Sequence, residues 1–256
     1  MLDFFLESAA VAYAEIRKLL RDPTELLSRA VQPVLWLAVF GQVFSQVRGM
    51  PIGQLRYLDY MAPGILAQSI LFSAIFYGIA IIWERDLGII HKLLVTPAHR
   101  SALVFGKAVA AGLRGLVQAA VVYLVAIALA VDIRWEFWPM LTVAAGVFVG
   151  SCIFSTFSLV IACIVKTRER FMGIGQILTM PLFFASNAIY PLELMPPWLK
   201  TIASLNPLTY LVDALRGAMI VGGSSQYSYT MSFGVMLAVF AVLLLLAARL
   251  YPGLAR

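Results

Sequence analysis

The chain has 256 residues, 62% of them hydrophobic and 12% charged, and a formal net charge of +6. Soluble domains carry roughly 45–50% apolar and about 25% charged residues, so a water-soluble globular protein is excluded. The lysines and arginines that make the chain basic sit in short loops between apolar runs, a membrane-topology pattern that gives no nucleic-acid partner.

Residues 2–20 place Leu2, Phe5, Leu6, Ala9, Tyr13, Ile16 and Leu20 three or four apart. This spacing predicts an N-terminal amphipathic helix (1–22) lying in the membrane interface; docking of the same stripe on a protein partner is the alternative. Asp3, Glu7, Glu15, Arg17 and Lys18 interrupt any apolar signal core, so no cleavable signal peptide is expected. Asp22-Pro23-Thr24-Glu25 then reads as a capping-box-like helix start, a corner into the first span.

Residues 23–256 read as one all-α membrane domain. A bilayer span needs about 20 mostly apolar residues, and six runs qualify: Leu26–Val47, Tyr60–Trp83, Ala102–Val131, Trp138–Val165, Phe171–Tyr190 and Tyr229–Ala248. Pro33 and Pro63 are expected to kink or begin their spans, and Gly/Pro/Ser clusters at 48–53 and 222–225 mark loops. With the N-terminus inside, thirteen Lys and Arg fall on the cytoplasmic face and five outside, which predicts cytoplasmic N- and C-termini. Cys152 and Cys163 share the fourth span, roughly 16 Å apart on a helix, too far for a disulfide. The two histidines, His91 and His99, give no metal site.

The segment WERDLGIIHKLLVTPAHRSALVFGK, residues 83–107, lies between spans two and three. Glu84 and Asp86 are read at the start of a short helix, where negative charge is favourable. Leu87, Ile90 and Leu94 share one row, with Ile89 and Leu93 beside them. Thr96-Pro97 ends the helix, and Arg100 restarts the chain near the headgroups. Such a helix can plug a groove on a soluble partner.

Residues 191–228 are too broken by proline for a span and too apolar for a solvated loop. Asn206-Pro207 reads as a cap and first helical position, with the helix running to about Arg216 before Gly217. Two short re-entrant helices in the outer leaflet are expected; an amphipathic outer loop is the alternative. Phe72, Phe76 and Tyr77 in span two, and Phe183, Phe184, Asn187 and Tyr190 in span five, either line a cavity for an amphipathic molecule or pack between helices. Arg114, the charge deep within a span, either snorkels or makes a structural contact, or takes part in gating. Asp213 and Arg216, three apart, are expected to pair, and KTRER at 166–170 to form a solvated inner turn.

ERDLGIIHKLLVTPAHRSALVFGK resembles the signature of ABC-2 type transporter permeases, E-R-x-x-G-x-x-x-x-L-L-x-T-P followed by R and G-K. The matching positions are Glu84, Arg85, Gly88, Leu93, Leu94, Thr96, Pro97, Arg100, Gly106 and Lys107. NPLTYLVDALRG at 206–217 and YPLELMPPWLKTIASLNP at 190–207 resemble the tail and outer region of that family's drug-resistance exporter branch.

The resemblance implies a coupling helix at Glu84, Arg85, Gly88, Leu93, Leu94, Thr96, Pro97 and Arg100, docked on a cytoplasmic ABC ATPase subunit. It implies a dimer with a second permease copy, a route lined by spans two and five, and an outer gate at Asn206, Pro207, Tyr210, Asp213 and Arg216. The chain has no G-x-x-x-x-G-K-[ST] phosphate loop. Catalytic residues, bound cofactor and metal are therefore expected to be none here, with ATP and Mg on the partner. The expected role is ATP-driven export, from a bacterial-type plasma membrane, of an amphipathic small molecule, drug or lipid-like substrate. Lipid-linked polysaccharide export is the alternative cargo, and a non-transporting membrane anchor the alternative of another class. No acidic residue at mid-span points to ion coupling, and no H-E-x-x-H motif points to an intramembrane enzyme.

Overall fold

The computed structural model describes residues 2–21, 31–44, 55–90, 99–165 and 167–255. Among these the chain is almost entirely helical: α1 Leu2–Arg21, α2 Val31–Phe44, α3 Tyr57–Asp86, α4 Arg100–Ala128, α5 Phe137–Ile164, α6 Arg168–Phe184, α7 Pro197–Leu205, α8 Pro207–Met219 and α9 Tyr229–Leu250. Its extended pairing is a single antiparallel bridge, Ile133 with Ile220, which ties the α4–α5 loop to the end of α8. The helices α3, α4, α5 and α9 are long and apolar enough to cross a membrane. At 30 residues, α3 reaches roughly 45 Å, longer than the ~30 Å hydrocarbon layer.

The expected first span is represented by the shorter α2, whose middle turns, Trp36–Gly41, are π-helical. The Asp22–Glu25 corner and the 48–53 loop lie outside the described residues. The expected fifth span, Phe171–Tyr190, is a helix only to Phe184. Pro181 sits in its last turn, and Ala185 to Tyr190 turn away from the helix axis instead of extending it.

At the centre lies α5, packed against α3, α4, α8 and α9. Small residues let the backbones approach, the usual device where lipid removes the hydrophobic drive between helices. A methyl at Gly115 would lie 1.9 Å from Ser151 Oγ, and one at Gly64 would lie 2.2 Å from the Ala188 carbonyl oxygen. Residues 208–219 of α8 are all buried, so this helix is core and not a surface loop. It extends through Gly217 to Met219, one turn past the expected end.

The N-terminal helix departs from simple amphipathic logic. Phe5, Leu6 and Tyr13 are 62–63% exposed, whereas Ser8, Ala12 and Glu15 are 5–6% exposed. The small and acidic row 8-12-15 packs on α4, and the apolar stripe faces outward, as an interfacial helix requires. Ser8 Oγ donates to the Ala102 carbonyl at 3.2 Å. Gly106 makes the crossing possible, since a Cβ there would lie 2.6 Å from the Ser8 carbonyl oxygen. The side chains of Leu2 and Leu20 lie outside the described set.

Candidate coupling site

At one end of the bundle α1, α3 and α4 converge on a buried charge cluster. Lys107 Nζ donates to Glu84 Oε2 at 2.6 Å and to Glu15 Oε1 at 3.2 Å. Arg114 Nη2 reaches Glu15 Oε2 and the Glu15 carbonyl, both at 3.2 Å, and its guanidinium lies 5.3 Å from the Tyr77 ring centroid. Tyr77 Oη donates to the Lys107 carbonyl at 3.1 Å. Two carboxylates face two cations, so the cluster is neutral as a whole, which is how buried charge is tolerated. An apolar cluster holding Ile81, Ile82, Leu103, Val104, Phe171 and Tyr251 occupies the same turns of α3 and α4.

This corrects the expected placement of the acidic residues. Glu84 and Asp86 lie in the last turn of α3, a C-terminus, not at the start of a new helix. Glu84 is held there by Lys107, while Asp86 accepts from Arg168 Nη2 at 2.7 Å and from Arg85 Nη2 at 3.0 Å. Arg168 also covers the Trp83 ring at 4.2 Å from its centroid. Arg168 of the KTRER run is therefore a clamp on the end of α3; Lys166 of the same run lies outside the described residues.

Past Asp86 the chain turns at Leu87 and at Gly88, whose φ of +71° is left-handed and suits glycine. Leu87 is 68% exposed, while Ile90 folds back into the core. Leu93, Leu94, Thr96 and Pro97 lie outside the described residues. The chain re-enters at His99, which caps α4 and donates its backbone N–H to Glu7 Oε2 of α1 at 2.9 Å. Arg100, the first residue of α4, is exposed.

The residues read as a substrate pathway divide in two. Phe76 and Phe184 are exposed on the apolar flanks of α3 and α6, and Phe72 is half-buried. Tyr77 is committed to the charge cluster, and Phe183 is buried edge-on to Trp36. Asn187 and Tyr190 lie beyond the end of α6, where Tyr190 Oη donates to the Phe184 carbonyl.

At the opposite end of α3 the residues expected at an outer gate are organised around α8. Asn206 caps it, with Oδ1 accepting from Leu208 N–H at 3.0 Å, and Pro207 takes the first helical position. Asn206 Nδ2 also donates to the Leu182 carbonyl at 2.6 Å and the Ala185 carbonyl at 3.3 Å, which fixes α8 to the end of α6. Tyr210 Oη donates to the Ser204 carbonyl at 2.8 Å. Asp213 and Arg216 do not pair as expected. Asp213 accepts from Ser225 Oγ and from the Gln226 and Tyr227 N–H groups. Arg216 turns the other way, donating to the Asn187 carbonyl at 2.7 Å and stacking on Tyr60 at 3.8 Å. Each finds a nearer partner across a packed interface than along its own helix. The Arg56 guanidinium is held above its ordinary pKa by its hydrogen bond to Asp59, against a smaller opposing effect of burial.

Sequence reading missed three parts of the charge assembly: Glu15 as a buried anchor, Lys107 as its counter-ion, and the Arg168–Asp86 clamp. The spacing of Ser8, Ala12 and Glu15, at i, i+4 and i+7, was the available signal for the first.

Long apolar helices, small-residue crossings and a buried neutral charge cluster define a helical membrane domain. Residues 8–220 match the ABC-2 type transporter family, and the chain belongs to that family. It is 30% identical to a putative transport permease ycf38 of Cyanophora paradoxa over 83% of this chain and 74% of that protein. It is 27% identical to the Porphyra purpurea protein of the same name over 77% of this chain and 68% of that one. The inner membrane transport permease YadH of Escherichia coli K12 is 24% identical over 89% of this chain and 87% of its own length.

Proposed function

We propose that this chain is the membrane-spanning subunit of an ATP-driven exporter, with six spans, cytoplasmic termini and a separate ATPase docked on the 83–107 link. The observation that carries this reading is the exposed Leu87 at the end of α3, a helix tied to α4 by the Glu84–Lys107 pair and clamped by Arg168 on Asp86. A force applied at Leu87 is passed through that ion pair to a second packed helix, which is what a rigid-body switch between two arrangements needs. ATP and Mg belong to the partner.

Two copies form the transport unit. The outward row Met172, Ile177, Met180 and Phe184 on α6, together with Phe76 on α3, supplies the apolar surface for the second copy and the route between them. The cargo is an amphipathic small molecule, drug or lipid-like compound, and the membrane is a bacterial-type inner membrane. The capped and buried α8 serves as the fixed element of the outer gate.

The test is co-purification of the tagged chain with its nucleotide-binding subunit, followed by reconstitution in lipid and measurement of ATP turnover and export. Leu87→Asp should abolish stimulation while leaving the subunit's own hydrolysis intact. Export that continues at the wild-type rate with Leu87→Asp, or in the absence of any ATPase, would refute the proposal.

A further inference from the structure

Asp59 and Glu84 are separated by about 37 Å along α3. Around Asp59, at the end remote from the charge cluster, lies a cavity of about 650 Å³. That volume is within the roughly 300–1,000 Å³ range of small-molecule sites. Its wall is formed by the start of α3, the turn after α6, the Asp132 loop, α8 and the loop that follows α8.

The two cations in this wall are already engaged. Arg56 forks onto Asp59, with Nε to Oδ2 and Nη2 to Oδ1 both at 2.9 Å, and it also donates to the Ala130 carbonyl. Arg216 is committed to the Asn187 and Tyr60 carbonyls and to the Tyr60 ring. The acceptors are not. Asn187 is 2% exposed, and its side-chain Oδ1 has no hydrogen-bond partner. A buried amide oxygen left in this state costs about 1–3 kcal/mol. Asp132 has an exposed carboxylate whose contact is Arg56 Nη2 at 3.8 Å. Glu193 receives Gln226 on Oε1 and keeps its other oxygen available. Asp213, the fourth carboxylate, is satisfied by its three donors. Four carboxylates thus face two guanidiniums, so the lining carries an excess of negative charge. An anion would meet that excess, with both guanidiniums already bound to protein acceptors through Nε and Nη2. No group of three metal-ligating side chains forms among the described residues, so a bare metal ion is not favoured either.

We infer that this cavity binds an organic cation bearing primary ammonium groups, received by Asn187 Oδ1 and the carboxylates of Asp132 and Glu193. An ammonium supplies three donors and a positive charge, which matches both the orphaned oxygen and the excess of carboxylate. The binding event requires neither the ATPase nor a second copy. Only its assignment to the outer face rests on the proposed topology. A free polyamine and an ethanolamine lipid headgroup present the same chemistry.

The full chain in phosphatidylcholine nanodiscs, which leave both faces open, is titrated with spermidine and with glucosamine, and glucose serves as the uncharged control. Binding is read by calorimetry. The expected result is saturable amine binding that weakens about tenfold in Asp132→Asn/Glu193→Gln and in Asn187→Leu, with no glucose binding. The carboxylate variants alter exposed groups, so they keep the test decisive if Asn187→Leu fails to fold. Equal affinity for glucose and glucosamine, unchanged spermidine affinity in the carboxylate variant, or no saturable amine binding up to about 10 mM overturns the inference. In nanodiscs containing phosphatidylethanolamine, a lowered apparent spermidine affinity identifies the headgroup as occupant, and an unchanged one identifies the free amine. ATPase stimulation measured on the same preparations fails or succeeds independently of these titrations.

Discussion

Lys107→Met removes the ammonium that holds Glu84 and Glu15 together. Methionine keeps most of the side-chain volume, so the change is one of charge and not of packing. The three side chains are 3%, 8% and 10% exposed, too little for solvent screening to rescue the carboxylates left behind. Breaking a buried pair by removing one partner costs about 3–5 kcal/mol. Against a total stability of about 5–15 kcal/mol, that brings the fold near its threshold. Arg114 still faces Glu15 after the substitution, and the cluster is left with one negative charge in excess. Adding Glu84→Gln restores neutrality at the cluster, and the double variant should recover about 1.5–2 kcal/mol of the loss. Unfolding in mixed micelles with increasing denaturing detergent, followed by tryptophan fluorescence, measures both values. Limited proteolysis should show α1 released from α4 in the single variant. A loss below about 1 kcal/mol for Lys107→Met, or additive losses in the double, would show that the cluster is not a buried coupled network.

Ala130, at φ +53°, occupies the left-handed position that ends α4, with Ala130 N–H on the Ile127 carbonyl and Val131 N–H on the Ala126 carbonyl. Ala130→Gly should therefore stabilise the protein by about 1 kcal/mol in the same unfolding assay, and any loss of stability would contradict the strain. Gly106→Val should push α1 from α4 at a cost of about 1–3 kcal/mol, because the new Cβ meets the Ser8 carbonyl and Val11 Cβ at 2.6 and 2.9 Å; cross-linking between cysteines placed on the two helices should fall, and unchanged cross-linking would count against the close crossing. Asn206→Ser should retain the α8 cap but lose the donors to the Leu182 and Ala185 carbonyls, whereas Asn206→Ala loses all three bonds. Alanine should cost about 1 kcal/mol more than serine in unfolding midpoints converted to free energy, and a reversed order would refute the double role.

The long helices were legible where an apolar run met proline only near its start, as at Pro63 of α3 and Pro139 of α5, or met none, as in α9. The fifth run was over-extended because Ala185 to Tyr190 are apolar enough to prolong a hydropathy window, yet Asn206 binds the Leu182 and Ala185 carbonyls and the backbone turns there. The α8 cap was legible because it is local: Asn206 and Pro207 need only their own helix to be recognised. The charge cluster was not, because Glu15 and Lys107 lie 92 residues apart and each alone resembles a surface charge.

A physical inversion explains why Glu15 on α1 is buried. In water the large apolar stripe of a helix goes inward. Against lipid that stripe is already in a favourable medium, and packing selects small and polar residues for the interior instead. On α1 the inward row is Ser8, Ala12 and Glu15, and on α9 it includes Ser232 and Ala247, while Phe5, Leu6, Leu237 and Leu245 face out. By the same rule Ser151, Ser155 and Thr156 of α5 turn into the core, and Cys152 Sγ lies 3.2 Å from the Ala108 carbonyl. A glutamate on the small-residue row of an amphipathic helix is therefore placed toward the protein, where it requires a buried cation. Among the residues of the adjoining helix, Lys107 lies one position after Gly106, the residue that lets α1 come close enough to reach it.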